Sequence, residues 1–227
     1  MNRGRRRGAR RGTVVLVALA LAAAAALLHH SAEAVPGSRP AEGGAPTGTS
    51  AETIGALVAA DTSAPTPYER DKFGQRWADV DRTGCDQRND RLSEDLVDVV
   101  YRAGTHNCVV ERGTLTDPYT GKLIHFEKAA GGVDIDHVVP LAAAWQAGAW
   151  SWTEQRRTEF ANDLSDLQAT SSSVNRSKGD QSIDEWLPPD QAYMCTYVTR
   201  WVQIKTRWSL SVTTHEKAVI EQLLERC

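Results

Sequence analysis

The stretch Val133-Asp134-Ile135-Asp136-His137-Val138-Val139-Pro140 sets an Asp-His pair inside an apolar strand. Apolar and polar residues alternate along it, which is typical of a half-buried strand, and the proline ends the pattern. Successive side chains of a strand point to opposite faces, so we expect Asp136 and His137 on opposite sides. One of them can then bind a metal ion while the other accepts a proton, because an imidazole titrates near neutral pH.

A second polar segment, predicted as a short helix, follows downstream and contains Asn175, Arg176 and Lys178. One turn of a helix brings Asn175 and Lys178 to the same face and leaves Arg176 off that face. The Asn175 amide oxygen and the Asp136 carboxylate are donors that hard divalent cations accept. Lys178 can absorb negative charge that develops on a phosphate, and Arg176 can hold a neighbouring phosphate. The two segments together predict metal-dependent hydrolysis of a phosphodiester, with the histidine as general base.

The first 34 residues have the pattern of an export signal. Six arginines precede an uninterrupted small and apolar run from residue 13 to residue 28, and Ala32-Glu33-Ala34 offers small residues to a signal peptidase. The run is shorter than the roughly 18–20 residues of a membrane-spanning helix. We therefore expect a signal peptide over residues 1–34, a secreted protein and no membrane attachment after cleavage; an uncleaved N-terminal anchor is the alternative.

The charge of the exported chain argues against binding nucleic acid over the whole surface. Removal of residues 1–34 leaves 20 basic and 28 acidic residues, a formal charge of −8. Proteins that hold DNA mainly by their surface field are basic. A nuclease with this composition has to rely on a local basic patch and a metal ion.

Four cysteines remain in the exported chain: Cys85, Cys108, Cys195 and Cys227. An even number of cysteines in a secreted protein indicates disulfides. Three pairings are possible, and we favour Cys85–Cys108 with Cys195–Cys227, because each bond closes one local unit. The absence of a Cys-x-x-Cys pair makes a zinc-thiolate site improbable.

The chain divides into a tether and one domain. Residues 35–67 are rich in small residues and proline and are predicted to be a disordered linker, and residues 68–227 have the length of a single domain. Periodicity predicts helices over residues 91–103, 140–149, 153–162, 172–178 and 190–208, with a last helix near residue 223, and strands over residues 108–112, 123–127, 133–139 and 166–170. Strands that lie early and centrally between helices indicate the α+β class.

These motifs resemble a known family. Asp136-His137-Val138-Val139-Pro140 and Asn175-Arg176-Ser177-Lys178-Gly179 look like an HNH endonuclease of the ββα-metal fold. The segments Val133–Trp145, Phe160-Ala161-Asn162-Asp163 and Glu185–Pro189 are similar to secreted actinobacterial HNH proteins related to the GmrSD C-terminal domain. The resemblance covers about residues 68–227, and residues 133–189 are its specific part. It implies an HNH hairpin and helix embedded in a mostly helical, disulfide-stabilised single domain.

The resemblance also implies roles for individual residues. Asp136 and Asn175 stand where the family binds its metal, and His137 stands where it has the general base. The middle asparagine of the family braces the loop that carries the base. We favour Asn162 for this place, with Asp166 as the substitute, because Asp166 precedes the second strand where asparagine is commoner.

We therefore expect a secreted, monomeric endonuclease that uses a divalent cation, Mg²⁺ first and Mn²⁺ or Ca²⁺ as alternatives. Its substrate is expected to be nucleic acid, DNA rather than RNA, with little sequence preference, because no separate base-reading module is visible. Two alternatives stay open: a toxin-type nuclease with a restricted substrate, and a non-catalytic extracellular binding module that retains the HNH fold.

Overall fold

The structure is a computed structural model that describes residues 54–55, 57–61 and 63–227. The predicted signal peptide and most of the predicted linker lie outside these residues. The described residues belong to one compact unit, Pro46–Cys227. No helix among them is long and apolar enough to cross a membrane.

The described part of the chain folds into strands and helices of the α+β class, as the sequence predicts. The strands are β1 (Val97–Tyr101), β2 (Val110–Thr116), β3 (Leu123–Glu127), β4 (Val133–His137) and β5 (Leu167–Ser171). The α-helices are α1 (Gln87–Asp95), α2 (Leu141–Gln146), α3 (Glu154–Ala161), α4 (Ser172–Lys178), α5 (Met194–Trp208) and α6 (Thr214–Leu224). Short 3-10 helices occupy Arg70–Phe73, Ala149–Ser151 and Gln191–Tyr193.

The first sheet is an antiparallel meander in the order β1-β2-β3. The turn between β2 and β3 is organised by the buried Asp117 carboxylate, which accepts hydrogen bonds from the Tyr119 amide (3.1 Å) and the Thr120 hydroxyl (2.6 Å). The same carboxylate accepts a hydrogen bond from the Thr170 hydroxyl of β5 (2.6 Å). The turn is thereby fixed beside the second sheet, where Tyr119 reaches the candidate site.

The second sheet is the antiparallel pair β4–β5, in which Asp136 lies opposite Gln168 and His137 opposite Leu167. Neighbouring positions of a strand alternate between faces, so this register separates the Asp136 and His137 side chains as expected. Helix α4 begins directly after β5, and the Ser171 hydroxyl caps its first turn. This strand–strand–helix unit brings Asn175 and Lys178 against the end of β4.

Two apolar clusters meet at β4. One lies between α1 and the two sheets and contains Leu92, Leu115, Phe126, Ile135 and Leu167. The other lies among the helices and contains residues such as Val138, Phe160, Tyr197 and Trp201. The polar pair at positions 136 and 137 lies in sequence between a residue of the first cluster and a residue of the second, so packing fixes the backbone on both sides of the pair.

The predicted helix over residues 91–103 is wrong in its second half. Helix α1 ends at Asp95, Leu96 takes extended backbone angles, and β1 then pairs with β2. Apolar residues recur at helical spacing through this segment, but the valines of β1 are β-branched and favour a pleated strand. Pairing with β2 therefore overrides the local helical pattern.

The two predicted disulfides, Cys85–Cys108 and Cys195–Cys227, are confirmed. The first ties the loop before α1 to the segment before β2, and the second ties the start of α5 to the C-terminus. Each bond closes a local unit, which is the reason that the sequence favours this pairing among three.

Ordered packing begins before the predicted domain boundary at Tyr68. Leu57 is buried, the Ala60 amide donates a hydrogen bond to the Val212 carbonyl (2.8 Å), and the Thr66 carbonyl accepts one from the Trp145 indole (2.8 Å). Residues 57–61 and 63–66, which we assigned to the linker, thus pack against the folded unit. Their small and polar composition conceals these contacts, most of which are made by backbone groups.

Candidate active site

An open pocket lies where β4, α4 and the segment before α1 meet. Its walls contain Asp136 and His137 from the end of β4, and Asn175 from α4. The remaining lining residues are Tyr68, Arg70, Arg76, Trp77, Ile135, Pro140, Leu141, Gly179 and Asp180. Three of the sequence-predicted site residues are therefore brought together in one cavity.

The His137 imidazole is held in one tautomer. Its Nε2 atom lies 2.9 Å from the Ala161 carbonyl oxygen, which can only accept, so Nε2 carries the hydrogen. In the neutral ring the lone pair is then on Nδ1. The Trp77 ring lies nearly parallel to the imidazole, with an interplanar angle of 8° and centroids 6.4 Å apart.

The pKa of His137 is lowered to about 4, first by burial and also by the positive charges of Arg70, Lys178 and Arg76, while the hydrogen bond to the Ala161 carbonyl acts in the opposite direction. The imidazole is therefore neutral at pH 7. A neutral imidazole with a free Nδ1 lone pair can accept a proton, which is the state that a general base requires.

The Asp136 carboxylate is buried and hydrogen bonded on both oxygens. Oδ2 accepts from the Tyr119 hydroxyl (2.7 Å), and Oδ1 accepts from the Lys178 ammonium (3.0 Å). Burial raises the pKa of Asp136, while the Lys178 charge and the Tyr119 hydroxyl act in the opposite direction. The contact of Tyr119 with Asp136 could not be predicted from the sequence, because Tyr119 lies in a turn 17 positions away and belongs to no motif that links it to the Asp-His pair.

Lys178 does not line the pocket, where we expected it to contact a phosphate. Its side chain is buried, and its ammonium also donates to the His137 carbonyl oxygen (2.7 Å). It therefore fixes the backbone and carboxylate at the end of β4, and it is not among the pocket-lining residues. Asn175, one turn earlier, does line the pocket, whereas Arg176 is exposed and lies outside it.

The two candidates for the bracing residue hold different segments. Asn162 is buried at the end of α3, and its amide binds the Gln75 carbonyl (3.2 Å) and the Ala78 amide (2.9 Å). Asp166 is equally buried, and its Oδ1 accepts from the Val139 amide (2.8 Å) just after the Asp-His pair. Asp166 braces the backbone that carries the base, and Asn162 braces the segment that supplies Arg76 and Trp77 to the pocket.

Few oxygen donors of the pocket are free to bind a cation. Among the described residues no three His, Cys, Asp or Glu side chains are grouped closely enough to hold a metal, so a zinc-type cage is not present there. The Asn175 amide lines the pocket and forms no hydrogen bond with the described part of the chain. Both oxygens of the Asp136 carboxylate are already engaged by Tyr119 and Lys178, so a cation at Asp136 would have to displace one of these contacts. In proteins, Mg²⁺ is commonly bound through one or two protein oxygens, with water and substrate phosphate completing the coordination shell.

This site lies in a nuclease-family domain. Residues 86–222 match the family described as GmrSD restriction endonucleases, C-terminal domain, and the chain belongs to that family. The chain is also 38% identical over 197 residues to an uncharacterized secreted protein of Arthroderma benhamiae, which covers 86% of this chain and 93% of that protein. No solved structure matches the chain. The chain is accordingly a secreted protein, as the sequence predicts.

Asp166→Asn is expected to change the pH dependence of stability. Burial raises the pKa of Asp166 well above its ordinary value, and its second oxygen has no hydrogen-bond partner among the described residues. A carboxyl with a raised pKa in the fold stabilises the fold below its unfolded pKa, and this contribution is lost as pH rises through the folded pKa. Asparagine keeps the acceptor for the Val139 amide and does not titrate.

The measurement is the melting temperature of both proteins in buffers from pH 4 to pH 8. The variant should gain stability relative to the wild type as pH rises through this range. A constant difference between the two curves would show that Asp166 does not titrate in the folded state.

Proposed function

We propose that this chain is a secreted, metal-dependent endonuclease that hydrolyses phosphodiester bonds of nucleic acid, with His137 as the general base. The observation that carries the proposal is the His137 imidazole, which is neutral, held through Nε2 and placed in one pocket with two oxygen donors and two arginines. Membership of a nuclease family supports the same chemistry. A pocket with a positioned base, cation donors and positive charge fits attack of water on a phosphodiester.

In the proposed reaction the Nδ1 atom of His137 removes a proton from the water that attacks phosphorus. The bond from phosphorus to the leaving oxygen then breaks and the leaving oxygen takes a proton from solvent, while the imidazolium later returns its own proton to solvent. The Ala161 carbonyl accepts the Nε2 hydrogen in both protonation states, so it orients the ring and stabilises the imidazolium. When bound, a divalent cation supplies Lewis-acid stabilisation of the phosphate charge.

Asp136 and Asn175 are the proposed metal ligands, and Mg²⁺ is the expected ion, with Mn²⁺ or Ca²⁺ as alternatives. Lys178 is proposed to act through Asp136, because its buried ammonium orients that carboxylate. Arg176, exposed next to Asn175, is proposed to contact a neighbouring phosphate of a bound strand. DNA is the proposed substrate, with little sequence preference, and the proposed active form is a monomer.

His137→Ala should reduce the rate of nucleic acid cleavage by about 10²–10⁴-fold, the range typical of a lost general base. The assay measures kcat/KM on double-stranded DNA, single-stranded DNA and RNA with Mg²⁺, Mn²⁺ or Ca²⁺ at neutral pH. His125→Ala is the matched control, because His125 is exposed on β3 and outside the pocket.

Equal cleavage by His137→Ala and by the control would rule out His137 as the base. Absence of cleavage by the folded, disulfide-bonded wild type on every substrate would favour the non-catalytic binding module. Cleavage of one narrow substrate class only would favour the toxin-type nuclease.

Asn175→Ala should raise the metal concentration for half-maximal activity by roughly 10–100-fold. Removal of residues that only support a metal ligand already weakens metal affinity by this factor. Mn²⁺ affinity measured by calorimetry in the absence of nucleic acid should weaken in parallel. Ser177→Ala, on the exposed side of the same helix, is the control. An unchanged Mn²⁺ affinity would exclude Asn175 as a ligand.

A further inference from the structure

The segment Tyr68–Ala78, here called the arginine arm, precedes the part of the chain that matches the family. The family match begins at residue 86, yet the arm supplies Tyr68, Arg70, Arg76 and Trp77 to the pocket of His137. One wall of the candidate active site is therefore built outside the family-defining region. No spacing rule connects the arm to the motifs more than fifty residues downstream, so its place in the pocket could not be predicted from the sequence.

The arginine arm is fixed to the domain along its length. Phe73 is buried and packs against the rings of Trp145 and Phe160, with centroids 6.1 and 6.3 Å away. Gly74 follows with φ of +65°, and a Cβ there would lie 2.1 Å from the Thr158 hydroxyl oxygen, so only glycine fits. The Asn162 amide then binds the backbone of residues 75 and 78. Packing and hydrogen bonds thus fix the arm as one wall of the pocket.

Two positive charges of the arm line the pocket without forming a salt bridge, although the exposed Asp180 lines the same pocket. Within residues 57–61 and 63–227 neither the Arg70 nor the Arg76 guanidinium lies at salt-bridge distance from an acidic side chain. Burial and then repulsion from Arg76 lower the pKa of Arg70, so the two cations act on each other. Like charges held together in a pocket are relieved when an anion binds between them.

The other basic residues near the pocket do not serve this purpose. The Lys178 ammonium is buried and occupied by Asp136 and the His137 carbonyl. Arg176 is exposed outside the pocket. The cations that line the cavity itself therefore come from the arginine arm.

We propose that Arg76, supported by Arg70, binds the nonbridging oxygens of the scissile phosphate, so that the arm is an integral part of the active site. The proposal rests on the proposed nuclease function. A guanidinium presents a planar fork of donors that matches two phosphate oxygens. Arg76 is exposed at the pocket and hydrogen bonds to no described residue, so it is the primary contact; Arg70 also donates to the Gly74 carbonyl (3.3 Å).

The first test compares kcat/KM for nucleic acid cleavage. Arg76→Ala should lower it by about 10²-fold, as expected for loss of one donor to the reacting phosphate. Arg76→Lys should recover part of this loss, because lysine keeps the charge without the fork. Arg112→Ala, which removes an exposed arginine of β2 outside the pocket, is the charge-matched control and should cleave like the wild type.

The second test does not depend on cleavage. In a His137→Ala background, binding of a fluorescein-labelled DNA duplex is measured by anisotropy over a range of salt concentrations. Arg76→Ala should weaken binding and reduce the salt slope by about 1, as for loss of one phosphate contact, and Arg112→Ala should do neither.

The outcomes separate this proposal from the proposed function. If the wild type cleaves and Arg76→Ala matches Arg112→Ala in both tests, the nuclease stands and the role of the arm is refuted. If the wild type does not cleave but Arg76→Ala alone loses DNA binding, the arm is a phosphate site and the catalytic function fails. If the double variant Arg70→Ala/Arg76→Ala cleaves and binds DNA like the wild type, the proposal is overturned entirely.

Discussion

The buried contact between the Lys178 ammonium and the end of β4 is the interaction on which the site depends. Lys178 and Asp136 are 42 residues apart, and their side chains meet at 3.0 Å away from solvent. A second bond to the His137 carbonyl fixes the backbone of the proposed base. Removal of either partner would leave the other charge buried and unpaired, which typically costs about 3–5 kcal/mol. The position of Asn175, one turn earlier, follows from it.

The positive charges of the site have two different roles. Lys178, which the motif suggests as a phosphate contact, is buried and orients the Asp136 carboxylate. The charge available to a ligand comes from Arg70 and Arg76, held by Asn162 through the backbone of their segment. The expected exported chain, whose formal charge is −8, can thus present two guanidinium groups at one pocket. Affinity for a polyanion would be concentrated at the pocket and not spread over the surface.

The parts of the fold that local patterns specify could be predicted from the sequence. The β3 and α4 boundaries, the α+β class and both disulfides follow from alternation, helical spacing and local pairing of cysteines. Strand β1 could not be predicted, because its valines also fit a helical repeat and only pairing with β2 decides between the two. The packing of residues 57–61 and 63–66 could not be predicted, because their contacts are largely made by backbone groups that composition does not reveal.

The candidate site shows the same division between local and long-range information. The Asp-His pair and Asn175 share a recognisable spacing, and the structure does bring them into one pocket. Arg70 and Arg76 reach that pocket from a 3-10 segment and a turn whose positions depend on tertiary packing, and the buried Tyr119 reaches only Asp136. The assignment of Asn162 and Asp166 to different segments likewise depends on which backbone groups lie within hydrogen-bond distance.

The most direct measurement is the conversion of supercoiled plasmid by the purified, disulfide-bonded secreted protein at neutral pH, with Mg²⁺ and with excess chelator. We expect nicked and linear products with Mg²⁺ and intact plasmid with chelator. Plasmid that stays intact with Mg²⁺, Mn²⁺ and Ca²⁺, or cleavage that proceeds equally in chelator, would contradict the proposed metal-dependent nuclease function.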